Sequence, residues 1–204
     1  MVMTESIHPT ALKLMETVSV MLDSSNPHDI LVDEVLKNSG VSRSSVYHHF
    51  GDFPGLVRAT LLRRFSQNVD ADGESMMAVV QRSTSKEEYW TRIRELSAVT
   101  QLPSRAPIRA ERARIISMAS SDPDFRRALS REQDRVTRVM AEAIAIAQEK
   151  GWVTATLSPL AIAVFLQAYS LGRAVDDLAS VNIPNEEWVQ LVEKVLGAFE
   201  TKEE

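Results

Sequence analysis

At 204 residues, 44% apolar and 25% charged, the chain has the composition of an ordinary soluble protein of one or two domains with a sizeable core. It has no cysteine, which excludes disulfides and thiolate metal sites and fits a reducing cytoplasm. The net charge of −5 argues against a nucleic-acid partner only if it is evenly spread, and it is not. Val35 to Val69 holds five basic residues (Lys37, Arg43, Arg58, Arg63, Arg64) against Asp52 alone, whereas Val139 to Glu204 holds four basic residues and ten acids. Solvated helix surface would give such a pattern too. Scarce glycine and abundant Ala, Leu, Glu, Arg and Met favour an all-α fold. No basic segment leads into an apolar run, so no signal peptide is expected. The longest apolar stretch, Leu160 to Leu171, contains Gln167 and is too short for a bilayer, so no membrane partner is expected.

In chain order, residues 1–7 read as a loose leader. A first helix starts at Pro9 or Thr10, carries Leu12, Met15, Val18, Val20 and Leu22 mostly on one side, and stops at Ser24-Ser25-Asn26-Pro27. Two short helices are predicted between Ile30 and Phe50. Ile30, Leu31, Val35 and Leu36 recur at helical spacing, and Gly40 follows where a left-handed stop costs glycine little. Ser42 is placed to cap the second helix. There Val46 and Phe50 share an inner face that packs back with Val41, while Arg43 and Tyr47 share another, with Ser44 and His48 beside them. An outer face of hydrogen-bonding and cationic groups, held across a tight turn, is built as a helix-turn-helix reader of double-stranded DNA. Asp52 caps a fourth helix with Pro54 in its first turn; it runs through Leu56, Leu61, Leu62 and Phe65 and is expected to end near Asp70 to Gly73. That end divides a reading domain, residues 1–70, from a second domain, residues 71–204.

The second domain is also helical. Ser85 with Glu88 forms a capping box before Tyr89, Trp90, Ile93 and Leu96. Pro103 and Pro107 bracket a break, and Ile108, Arg112, Ile115, Met118 and Ala119 form the next face. Asp122-Pro123 opens a long helix to Lys150 with Gly151 as its stop. Ser158-Pro159 opens another to about Ser180, apolar on nearly every side and therefore requiring burial on all of them. Asn185 caps a last helix with the stripe Trp188, Leu191, Val192, Val195, Leu196 and Phe199.

Gly40-Val41-Ser42-Arg43, then Val46-Tyr47-His48-His49-Phe50, Gly51-Asp52 and Leu56 resemble the DNA-binding domain of TetR-type transcriptional repressors. The resemblance implies that Ser42 to His48 enter the major groove and that Tyr47 and the residues opening the next helix hold phosphates. It also implies dimerisation through the last two long helices and a signal passing along the helix from Asp52. Leu36 and Ser39 stand where the family usually has alanines, Leu31 where it has a threonine cap, and Phe53 where it often has a lysine; Asp29 is a substitute cap.

The candidate DNA-binding residues are therefore Ser42, Arg43, Ser44, Ser45, Tyr47 and His48. His48 and His49 are adjacent and diverge on a helix, so no metal pair is expected. Phosphate loops, HExxH, a nucleophile elbow and a carboxylate dyad are all missing, so neither enzyme activity nor a cofactor is expected. Arg127, Arg131, Arg135 and Arg138, interleaved with acids, read as a solvated face. Tyr89, Trp90, Met118, Phe125, Phe165 and Tyr169 are the bulkiest candidates to line a cavity, with core packing as the default; Gln101, Arg112, Gln167 and Tyr169 are its candidate polar groups. Arg112 interrupts an apolar face, so it pairs with an acid, snorkels or holds an anion. The expected protein is a cytoplasmic homodimeric repressor on a palindromic operator, released by an unidentified small-molecule effector. The alternatives are a DNA-binding protein without a small-molecule effector and a helical carrier or enzyme with a vestigial reader.

Overall fold

The structure is a computed structural model that describes residues 7–201, so the leader expected over residues 1–7 lies, Ile7 apart, outside the described residues. The described residues are all-α; β pairing among them is confined to an isolated bridge between Val153 and Glu200. The chain divides into two compact units, Met1–Gln67 and Asn68–Glu204.

The first unit holds α1 (Pro9–Leu22), α2 (Val32–Ser39), α3 (Arg43–Phe50) and the start of α4 (Phe53–Arg82). α1 opens on His8, whose Nδ1 accepts from the Thr10 amide at 3.2 Å, while Pro9 has no N–H to satisfy. Its buried face is Ala11, Leu14, Met15, Val18 and Leu22, packed on α2 and α3. Val20, expected on that face, is 70% exposed because two residues of helix turn it to the far side of Val18 and Leu22. Asp52 caps α4 by accepting from the Gly55 amide at 2.6 Å. α2 has no side-chain cap: Asp29 accepts instead from Asn26 Nδ2 at 3.1 Å. Arg64 donates to the Ser19 carbonyl and to Asp23 Oδ1, both at 2.7 Å, and so ties α4 to the last turn of α1.

The second unit holds the rest of α4, then α5 (Lys86–Thr100), a 3-10 turn (Pro103–Arg105), α6 (Ala106–Ala119), α7 (Pro123–Glu149), α8 (Pro159–Gly172), the short α9 (Ala174–Asp177) and α10 (Asn185–Gly197). α7 lies against α6 and α8, and α6 also meets α8 and α9. At α5, Ser85 Oγ accepts from the Glu88 amide at 3.2 Å, but Glu88 reaches the Thr84 amide at 2.8 Å, one residue before the reciprocal partner of a capping box. α4 runs well past its expected stop. Gly73 does not end it, because glycine serves a close approach there: an added Cβ would lie 3.3 Å from Val139 Cγ1 of α7.

α8 ends at Gly172 rather than near Ser180, and two arginines fasten the chain around the break. Arg109 of α6 grips Asp177 through Nε (2.6 Å) and an outer guanidinium nitrogen (2.7 Å), and donates to the carbonyls of Thr100 and Leu102 at 3.2 and 3.3 Å. Arg173 donates to Asn185 Oδ1 at 2.9 Å. That bond occupies the side chain expected to cap α10, whose cap position falls to Pro184. Nor is α8 buried on all sides of the single chain. Ile162 and Ala163 are buried, but Leu160 and Val164 are 52% and 53% exposed. On α7, Arg127 pairs with Asp124 and Arg135 with Asp70 and Glu132, as a solvated face would.

Asp122 caps α7 with one oxygen that accepts from the amides of Asp124 (3.1 Å) and Phe125 (2.9 Å). Asp122→Ala is expected to lower stability by about 1 kcal/mol, seen as a lower urea midpoint with an unchanged slope.

Candidate functional site

Two features of the structure offer binding chemistry, one in each unit. In the first, α2 ends at Gly40 in the left-handed region (φ 63°), and the Gly40 amide donates to the Leu36 carbonyl at 2.9 Å. Ser39 is buried beneath the turn, where its Oγ accepts from the Val41 amide at 3.3 Å. α3 then buries Val46 and leaves Ser42, Arg43, Ser44, Tyr47 and His48 exposed, with Ser45 half-buried. Ser42 holds the cap position, but its Oγ lies against Ser44 Oγ (2.9 Å) and Ser45 Oγ (3.0 Å) and not against a backbone amide. Arg43 reaches back to Asp33 of α2 at 2.5 Å. The rings of His48 and His49 are 4.8 Å apart, and those of His49 and His8 are 4.9 Å apart. Burial, then the charges of His48 and His8, hold His49 below its ordinary value.

In the second unit a cavity of about 70 Å³ lies among α4, α5, α6, α7, α8 and α10. Its walls are mostly apolar, with Val69, Met76, Ile93, Val136, Met140 and Leu196 prominent. Its polar side carries Asp72, Arg112, Gln167 and Tyr169. Arg112 donates to Gln167 Oε1 at 3.2 Å, and Gln133 donates to the same oxygen at 2.7 Å. Gln167 Nε2 lies 3.1 Å from Thr137 Oγ1, so the amide is locked in one orientation. Tyr169 Oη and Ser97 Oγ are 2.8 Å apart; burial pushes the phenol up, partly opposed by that bond. Burial pushes Asp72 up, against the charges of Arg105 and Arg112, and pushes Arg112 down, against the charge of Asp72.

Most of the chain is similar in fold to solved structures. One is a TetR/AcrR-family transcriptional regulator from Thermobifida fusca (TM-score 0.65, 13% identity, 93% of this chain and 97% of that one). Another is E. coli NemR in its reduced form (0.66, 16%, 96% and 100%). A third is a proposed transcriptional regulator from Saccharomonospora viridis in complex with choline (0.65, 18%, 94% and 98%). The chain has the TetR-family fold. No family model and no curated protein matches its sequence.

Within this TetR-type fold, the predicted reading residues gather on α3, and the predicted cavity residues separate. Arg112, Gln167 and Tyr169 line the cavity. Phe165 faces a second apolar space of about 90 Å³ between α8 and α10, which Tyr169 also borders. Tyr89 and Trp90 are elsewhere, in a core cluster where Tyr89 lies 5.4 Å from both Trp90 and Trp152. Gln101 is fully buried and accepts from Trp188 Nε1 at 2.8 Å. Phe125 is buried beside the α7 cap, and Met118 is half-buried; neither borders the cavity. Residues missed in the sequence are Asp33, His8, Asp72 and Arg105. One signal was available: Arg105, Arg109 and Arg112 recur at helical spacing and so share a face.

The row of imidazoles gives a direct check. An NMR titration is expected to place the His49 midpoint below 6.5. Replacing His8 and His48 together with Gln removes two like charges and is expected to move that midpoint upward.

Proposed function

We propose that the chain is a sequence-specific DNA-binding transcriptional regulator, a homodimeric repressor whose operator is released by a small molecule. The observation that carries this is α3: Val46 buried, and Arg43, Ser44, Tyr47 and His48 exposed on a helix of eight residues set by the Gly40 turn. That arrangement supports the reading of α3 as a recognition helix for the major groove. Arg43, Ser44 and His48 are assigned to base edges and Tyr47 to a phosphate; Ser42 and Ser45 support them. Residues 1–70 form the reading domain and residues 71–204 the effector and dimerisation domain. No catalytic residue, cofactor or metal is assigned. No described helix is long and apolar enough to cross a membrane, which suits a cytoplasmic regulator.

Dimerisation is assigned to α8 and α10, which leave Leu160, Val164, Leu191 and Val195 exposed at 52, 53, 54 and 37%. Exposed apolar side chains on two adjacent helices suit a twofold interface, and paired readers match a palindromic operator. The cavity favours an effector over ligand-independent binding, and the similar regulator from Saccharomonospora viridis in complex with choline supports a small molecule. α4, capped at its start by Asp52, carries Asp72 and Met76, which line the cavity. A ligand that favours a spacing of readers unfit for the operator weakens DNA binding, and DNA weakens ligand binding by the same factor, typically about 1–3 kcal/mol.

Selection of genomic fragments on the full chain yields the operator, and titration at several salt concentrations then measures affinity. Arg43→Ala is expected to cost about 1–3 kcal/mol and relax preference at one position, whereas Tyr47→Phe weakens all sequences alike. An Arg43→Ala protein with unchanged affinity and preference would overturn the groove assignment. Val195→Glu is expected to give monomers in sedimentation that lose the operator while both units stay folded. A wild type that sediments as a monomer at about micromolar concentration, where specific complexes of this size associate, counts against the dimer.

A further inference from the structure

The polar groups on the wall of the main cavity differ in what they have left to offer. Gln167 is saturated: Oε1 accepts from Arg112 and Gln133, and Nε2 reaches Thr137 Oγ1 and the Ala163 carbonyl at 3.1 and 3.2 Å. Asp72 lies 3.4 Å from Arg105 and within the field of Arg112. Ser170 borders both this cavity and a smaller one of about 30 Å³ that includes Arg105 and Arg109, so a polar head there sits among charges. Ser97 and Tyr169 are different. They stand on α5 and α8, both line the cavity, and their oxygens are 2.8 Å apart. Two hydroxyls carry two hydrogens, and the bond between them uses one. Whichever oxygen accepts, its own hydrogen remains, and neither hydroxyl makes another bond among the described residues. Burial pushes the Tyr169 phenol up, so the pair keeps both hydrogens at neutral pH.

We propose that the main cavity takes a small uncharged aliphatic molecule with one carbonyl oxygen, which accepts the spare hydrogen of the Ser97–Tyr169 pair. This rests on the effector reading above and names the ligand class. A carbonyl brings acceptor lone pairs and no donor of its own, so it answers a lone donor without leaving a polar hydrogen in an apolar space. Met76, Ile93, Val136 and Met140 supply the aliphatic surroundings for the chain. An ionic head gives up its water for a wall that is mostly apolar, which costs more than a carbonyl does. The cavity's volume of about 70 Å³ holds roughly five water-sized groups, which limits the molecule to a short chain. Tyr169 and Leu196 also border the second apolar space between α8 and α10. The carbonyl is therefore held by a side chain that reaches the helices assigned to dimerisation.

The test is an NMR titration of the full-length chain, labelled at its methionine methyls, with 2-pentanone, 2-methyl-1-pentene, pentanoate and pentylammonium. Met76 and Met140 report from the cavity wall and Met15 from the first unit's core. 2-Pentanone is expected to shift Met76 and Met140, to leave Met15 in place, and to bind more tightly than either ion. Tyr169→Phe combined with Ser97→Ala removes both hydroxyls and keeps the ring. That double variant is expected to weaken 2-pentanone about tenfold and to leave 2-methyl-1-pentene, the same shape with a methylene for the oxygen, unweakened. Each single variant keeps one free hydroxyl hydrogen and is expected to lose less. Unchanged ketone affinity in the double variant, equal weakening of ketone and alkene, tightest binding by either ion, or no shift of Met76 and Met140 with any probe overturns the proposal. The effector reading is tested apart, by operator affinity with the probe bound. A ketone that binds as described without weakening the operator complex sinks that reading and leaves the ligand class intact. Pentanoate that binds tightest and releases the operator does the reverse.

Discussion

A left-handed residue at position 40 decides where α3 goes. With φ at 63°, the chain leaves α2 in a direction that an L side chain resists by roughly 1–2 kcal/mol. Space is not the reason for glycine here, since an added Cβ would meet nothing within 4 Å. The requirement lies in the backbone. Because α2 stops there and α3 starts three residues later, Val46 is delivered into the first unit's core at 1% exposure. One buried anchor then fixes the azimuth of an eight-residue helix, and the remaining side chains take their places by periodicity alone. The exposed polar face of α3 is thus a by-product of a stop signal and one apolar contact.

Much of the fold was legible because local chemistry announces helix starts. Asp122 before Pro123, Ser85 and Asp52 before Pro54 all cap where their spacing predicts, although Glu88 closes on Thr84 and not on Ser85. Two expected caps are lost because other side chains claim them. Asn185 is taken by Arg173, twelve residues earlier, and Asp29 by Asn26, three residues earlier. The first competition lies beyond one helical turn; the second is local and was open to reading. The start of α10 is therefore set by Pro184, and that of α2 by Leu31 without a side-chain bond.

The candidate sites were legible to different degrees for a related reason. On α3 the helix is short, exposed and close to its own turn, so spacing settles which residues share a face. In the second unit, spacing shows that Tyr89, Trp90 and Phe125 are buried but not which neighbours they meet. Tyr89 and Trp90 close on Trp152, some sixty residues away. Asp72 went unread because its significance depends on Arg105 and Arg112, which a sequence separation of more than thirty residues conceals.

Gly73 has a mechanical consequence. A helix crossing is ordinarily cushioned by side chains of both helices, which can change rotamer when one helix shifts. At Gly73 the cushion is missing, and the backbone of α4 rides close against the side chain of Val139. Asp72 and Met76, on the cavity wall, lie within one turn of that point. Repacking at the crossing therefore rests on Val139 alone, because α4 offers no side chain there that could change rotamer.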